Sequence, residues 1–175
     1  MTKRYASLAA LTLIALLAAA AGAADKIGYI NSERIRVEYK GSRDIENQLE
    51  ASIADWRNEA LGMEDEIEGM ISELQSQRLL LSEEAASEKE NAIRQRQLEY
   101  ENYLNQVWGV NGLAARREAE LWQPVLERIN AILDEVGSEG DYDMIFDAAQ
   151  MGIVYADPST DLTQQILDRI NGETE

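Results

Sequence analysis

Carboxylates are the only chemically versatile side chains that this sequence supplies in number, and two groups of them invite inspection. Glu64, Asp65, Glu66 and Glu68 form a dense acidic run. Hard divalent cations take oxygen ligands, so an ion site is conceivable there, but a solvated helix face is the simpler reading. Glu83 and Glu84 could imitate the acid pair of a glycosidase. That chemistry needs a walled pocket and two distinct carboxyl environments, and a hairpin tip offers neither. The 175 residues include no His and no Cys, which removes the usual catalytic bases, nucleophiles and transition-metal ligands. The expectation is a protein that is not an enzyme and carries no cofactor and no metal.

Charge narrows the partners. Lys and Arg number 16 against 33 acidic residues. The N-terminus reads as an export signal over residues 1–24. Lys3 and Arg4 form a basic start, Leu8 to Ala21 an apolar run, and Ala21-Gly22-Ala23-Ala24 supplies small residues for cleavage. Removing Lys3 and Arg4 leaves 14 basic residues and a net charge of −19. Nucleic-acid binding is disfavoured, since phosphate contacts need clustered Lys and Arg. Anionic membrane surfaces are disfavoured for the same reason, and no stable membrane insertion is expected once the signal is cleaved.

Apolar spacing gives the architecture. Leu49, Ile53, Trp56, Ala60, Met63, Ile67, Met70, Leu74, Gln77 and Leu81 recur alternately four and three apart. That is the 3.5-residue repeat of a coiled coil. A second, weaker stripe runs from Ile93 through Gln97, Tyr100, Leu104 and Val107 to Leu121 and Val125. The two stripes are offset by two residues, which neither a single stutter nor a single stammer produces. A chain reversal does. Ser82 precedes Glu83 and Glu84, and Ser87 stands three residues before Glu90 in capping-box spacing. The spacing predicts an antiparallel helical hairpin over 41–136 with its tip near 82–87. Gly109-Val110-Asn111-Gly112 is a rival turn signal, read here as a bend. Pro124, with Gln123 before it biased away from helix, predicts a kink in the descending limb.

The flanks form a small body, 25–40 plus 137–175. Lys26 to Asn31 reads as a strand, Ser32 as a cap for a short helix through Tyr39, Tyr142 to Phe146 as a second strand, and Ile153 to Ala156 as a third. Asp161 can cap a final helix carrying Leu162, Ile166, Leu167 and Ile170. About 50 residues bury little core alone, so a homo-oligomer is expected. Ile27, Tyr29, Ile30, Tyr142, Met144, Phe146, Ile153 and Tyr155 are the candidates for body core or subunit interface. The fold class is α+β, mostly α: a long antiparallel coiled-coil hairpin inserted into a small β-rich body.

Several apolar arm residues have two readings. Trp56, Met63 and Met70 are ordinary seam residues by position, or adaptable lining for apolar partners. Leu79, Leu80 and Leu81 cannot all face one seam, so the tip exposes some of them, either to a partner or to tip packing. Tyr103 and Trp108, with Tyr100, Leu104 and Val107, make a face wider than one seam needs, suited to a bound chain or a neighbouring arm.

Signal, Lys26-Ile27-Gly28-Tyr29-Ile30-Asn31, charged coiled coil, Tyr142-Asp143-Met144-Ile145-Phe146-Asp147-Ala148, Val154-Tyr155-Ala156-Asp157 and Asp161 to Leu167 follow in an order that resembles the Skp/OmpH family of periplasmic chaperones. The likeness spans essentially the whole mature chain. It implies a homotrimer whose helical arms enclose a cavity and which holds unfolded outer-membrane β-barrel proteins in the periplasm without ATP. Trp56, Met63, Met70, Leu79, Leu80, Leu81, Tyr103 and Trp108 would then be the client-binding candidates. The alternative is a structural or adaptor coiled coil of the cell envelope that docks one folded partner. Well-known family members are basic, whereas this chain is acidic, so steering of clients by positive arms is not expected here.

Overall fold

The computed structural model describes residues 25–172. The signal expected over 1–24 lies outside the described residues. The first strand, β1 (Ile27–Ile30), pairs in parallel with β2 (Met144–Asp147), Ile27 level with Met144 and Ile30 level with Asp147. Parallel neighbours require a crossover, and here the whole arm is that crossover. Gly28 is needed at this sheet for want of room. A Cβ there would lie 2.6 Å from Leu162 Cδ1 and 3.1 Å from the Tyr142 ring.

A short helix, α1 (Ser32–Glu38), follows. Its cap is Asn31, whose Oδ1 accepts from the Arg34 N–H at 2.9 Å, in place of the expected Ser32. The outgoing limb is α2 (Ser42–Gln77), 36 residues and so about 54 Å long. The chain reverses over Arg78–Ser82, a few residues before the expected tip. Ser82 is the cap of α3 (Glu83–Trp108), its hydroxyl accepting from the Ala85 N–H at 3.2 Å. Ser87, expected to cap, lies inside that helix. The hydroxyl nearer the turn reaches the orphan donors first, and Glu83 and Glu84 in the first turn suit the helix dipole.

The returning limb is broken at 109–112 before α4 (Leu113–Glu139). Asn111 adopts φ 57°, and a Cβ on Gly112 would stand 2.5 Å from the Val107 carbonyl. The Asn-Gly signal therefore interrupts the helix without reversing the chain. Pro124, by contrast, sits inside an unbroken α4. The helix persists because Val125, Ile132 and Val136 anchor it in the body core.

The seam of α2 follows the sequence stripe. Ala60 and Ile67 are buried, and Leu49, Ile53, Trp56, Met63, Met70, Leu74, Gln77 and Leu81 are half-buried. On α3, Ala86, Ile93 and Val107 are buried, while Gln97 is exposed. Beside the seam runs a polar ladder. Lys89 Nζ donates to Glu73 at 2.9 Å, Arg96 Nε to Glu66 at 2.9 Å, and the Tyr103 hydroxyl to Glu59 at 2.8 Å. Each rung lies one heptad from the next on both helices, as antiparallel packing in a single register requires.

The body closes with α5 (Ala148–Met151), a 3-10 turn (Pro158–Thr160) and α6 (Thr163–Gly172). Asp161 caps α6 as expected, accepting from the Thr163 N–H at 2.9 Å. Ile153–Ala156, expected as a third strand, forms none. The sheet has two strands, and this segment runs as coil with Val154 and Tyr155 exposed. The core unites Ile30 and Ile35 with Leu162, Ile166, Leu167 and Ile170, and also with Ile45, Val125, Ile132 and Val136 from the limb roots. The expected boundaries at 41 and 136 thus cut through one core. The body solves its shortage of residues by borrowing the base of the arm.

Ile132 is fully buried, so Ile132→Ala is expected to cost about 2–5 kcal/mol in denaturant melts. Gly69 has open space around a built Cβ, so Gly69→Ala is expected to stabilise by about 1 kcal/mol. A neutral first variant or a destabilising second one would contradict this packing.

Candidate functional site

Exposed apolar groups stand at both ends of the molecule and also along the arm between them, where Leu61, Leu98 and Val110 are exposed. At the far end, Leu79 is 98% exposed and Leu80 87%. Leu81, half-buried, turns back into the seam. Three successive leucines at a tight reversal cannot share one buried face, and the capping of α3 by Ser82 holds the first two outward.

Along the arm, Trp56, Met63 and Met70 stay half-buried on the seam. Their position is that of packing residues within one arm. Tyr103 and Trp108 come together edge to face, with ring centroids 6.4 Å apart. Tyr103 is half-buried, and its hydroxyl also lies 3.3 Å from the Trp56 carbonyl. The structure thus joins Trp56, Glu59, Tyr103 and Trp108 into one aromatic and acidic cluster near the middle of the arm. It does not bring Met70 or the tip leucines to that cluster.

At the near end, β1 and β2 present an apolar outer face. Ile27 and Met144 are exposed and Tyr29 and Phe146 half-buried, while Ile30 is turned into the core. Within one chain, Ile27 and Met144 are therefore surface residues rather than core. The segment after α5 adds Val154, fully exposed, and Tyr155, 87% exposed. Tyr142 and Ile145 pack against the core. A groove of about 460 Å³ opens beside α1, lined by Ile35, Trp122, Leu126, Ile129, Leu133 and Ile145. The sequence reading passed over its α4 side. The signal was there, in the spacing of Trp122, Leu126, Ile129 and Leu133 along one helix face.

Electrostatics tighten the arm without creating reactive groups. A hydrogen bond from Lys89 holds the Glu73 carboxyl below its ordinary 4.5. Arg96 does the same for Glu99. Partial burial and the Glu59 carboxylate push the Tyr103 phenol up to about 12. Among the described residues no group of acidic side chains is arranged to hold a metal ion, and no helix is long and apolar enough to cross a membrane.

Known proteins share this plan. The family described as outer membrane protein (OmpH-like) matches residues 26–170. The protein named chaperone protein Skp from Yersinia enterocolitica is 29% identical over 157 residues, covering 90% of this chain and 93% of that protein. The Skp of Pectobacterium atrosepticum is 24% identical over 168 residues, covering 96% and 99%. A crystal structure from Caulobacter crescentus, described as a candidate outer membrane chaperone (OmpH-like), superposes with a TM-score of 0.70 at 12% identity, covering 86% of each chain. The last likeness is one of fold. The relatives are chaperones by name, not enzymes.

The ladder has a definite pH sign. Glu73 and Glu99 have folded values below the ordinary carboxylate value. Their contribution is present above that value and lost as pH falls through the folded one. Glu73→Gln is therefore expected to melt below the unaltered chain at neutral pH, with the gap closing in strong acid; a gap constant with pH would contradict the rung. Tyr103→Phe is expected to remove a phenol that ionises near 12 in an ultraviolet titration.

Proposed function

This chain belongs to the OmpH-like family, and from that membership we propose that it is a periplasmic chaperone that holds unfolded outer-membrane β-barrel proteins without ATP. The carrying observation is that each end of the molecule exposes an apolar surface of its own. Leu79 and Leu80 stand exposed at the far tip of the arm, and an apolar sheet face stands open at the base. A holder needs both: one surface to gather copies of itself and another to meet a client.

The base is the self-association surface in this reading. Ile27, Tyr29, Met144 and Phe146 share one side of the strand pair. In the segment that follows α5, Ile153 is half-buried while Val154 and Tyr155 stand exposed. Three copies joined there would point three arms the same way and enclose a cavity. Residues 25–40 and 137–175, with the limb roots packed into their core, form the joining body, the rest of 41–136 the arm, and 1–24 the export signal. The tip leucines supply the client contacts, with Tyr103, Trp108 and the accessible parts of the seam residues Trp56, Met63 and Met70 along the arm.

Holding is mass action. Binding the unfolded chain lowers the free concentration that can aggregate. Contacts that are individually weak and apolar suit clients of differing sequence. The arm can yield at 109–112, where the returning limb is not helical.

The test is light scattering from a denatured β-barrel membrane protein diluted into buffer. The mature chain is expected to suppress aggregation at about one trimer per client, equally with and without ATP. Leu79→Ser with Leu80→Ser is expected to weaken suppression while changing stability by no more than about 0.5 kcal/mol, since both side chains are exposed. Solution mass is expected to be that of three chains. A clean monomer, or saturable binding to one folded envelope protein with no effect on unfolded chains, would contradict the reading.

A further inference from the structure

Midway along the arm, on the ladder side, lies a groove that apolar holding does not require. Gly62 faces outward there, and a Cβ built on it meets nothing within 4 Å. The missing side chain leaves a groove of about 480 Å³ between α2 and α3, lined by Glu59, Met63, Arg96, Glu99, Tyr103 and Gln106. Met63 and the Tyr103 ring are its apolar lining, and carboxylates stand around them.

The charges do not balance. Arg96 is the one cation of the groove lining, and it already donates to Glu66 at 2.9 Å and to Glu99 at 2.8 Å. Glu59 accepts from a neutral phenol at 2.8 Å. The other rungs neutralise their carboxylate and this one does not. The helix around it deepens the excess, for α2 carries ten carboxylates against two arginines. α3 carries six against three cations and offsets little of it. The high ionisation point of Tyr103 has the same origin in part, since the Glu59 charge opposes a second anion beside it.

The geometry points to a docking groove for Lys or Arg side chains of an extended client segment. The alkyl stem of such a side chain lies along Met63 and the Tyr103 ring, and its charged end meets Glu59. Long cationic side chains bury their stems while keeping the head group wet. A cation over an exposed aromatic ring adds about 0.5–1 kcal/mol. One such contact is weak, which suits a client that must be released. The inference rests on the client-holding reading and adds the sign of charge that the client carries.

The test uses the full mature chain and three labelled extended peptides, identical except for Lys, Gln or Glu at the same positions between leucines. The Lys peptide is expected to bind about tenfold more tightly than its Glu twin, with the advantage shrinking as salt is raised. Gly62→Met fills the groove with a better helix former. It is expected to raise the melting temperature while lowering affinity for the Lys peptide several-fold and leaving the Glu peptide unchanged. A gain in stability rules out misfolding as the cause of that loss. Glu59→Gln, which keeps an acceptor for Tyr103, is expected to lower Lys-peptide affinity alone. Equal binding of all three peptides, with aggregation of a β-barrel client still suppressed, overturns the groove and leaves the holding function standing. A change in oligomeric mass with Gly62→Met assigns the groove to a neighbouring copy and also overturns the inference. No binding of any peptide, with no suppression of aggregation, removes both.

Discussion

The parallel pairing of β1 with β2 is the constraint on which the rest of the molecule depends. Two parallel strands cannot be joined by a tight turn, so the chain between them must leave and come back. It leaves through 36 residues of α2 and returns through 26 of α3 and 27 of α4. The return is longer than the departure. Arg36, just before the arm begins, meets Glu118 of α4 at 3.1 Å, so the residues of α4 beyond that level extend past the arm root. They are the residues that carry Val125, Ile132 and Val136 into the core. One length mismatch thus creates both the arm and the pillar around which the body folds.

Within the arm, apolar burial supplies the attraction and the short reversal over Arg78–Ser82 supplies the register. A heptad seam alone permits slips of one heptad, because each level looks much like the next. The rungs Glu73–Lys89, Glu66–Arg96 and Glu59–Tyr103 differ in chemistry from level to level. A slip of one heptad would lose one rung and re-form the other two, since α2 presents a glutamate at each level. Exposed ion pairs contribute little each, so the short turn over Arg78–Ser82, more than the rungs, excludes the slip. The same rungs engage Lys89 and Arg96 and leave a surface with a strong excess of carboxylates. That sign is the acidic one already present in the sequence, which argued against steering of clients by positive arms.

Much of this was legible in the residues. The stripe from Leu49 to Leu81 marked the seam residue by residue, and the phase offset marked the reversal, because burial in a coiled coil follows sequence period alone. Asp161 announced the last helix because a cap is a local hydrogen bond. The misses were matters of competition or distance. Ser82 and Ser87 both read as caps, and the one nearer the turn won. Pro124 read as a kink in the descending limb, and α4 runs on through it without a break. Ile153–Ala156 read as a strand, yet a strand requires a partner edge, and this segment pairs with neither β1 nor β2. The Gly62 groove was hidden because it depends on which residue of α3 stands level with a glycine of α2, and only the register tells that.

The division of labour between the ends of the molecule is most directly measured by photo-crosslinking of the full mature chain in the presence of an unfolded β-barrel membrane protein, with probes placed singly at Leu80 and at Tyr155. The account predicts that the tip probe captures the unfolded protein and the base probe captures another copy of this chain. Capture of the unfolded protein at Tyr155 with none at Leu80, or of sister chains at the tip alone, would contradict it.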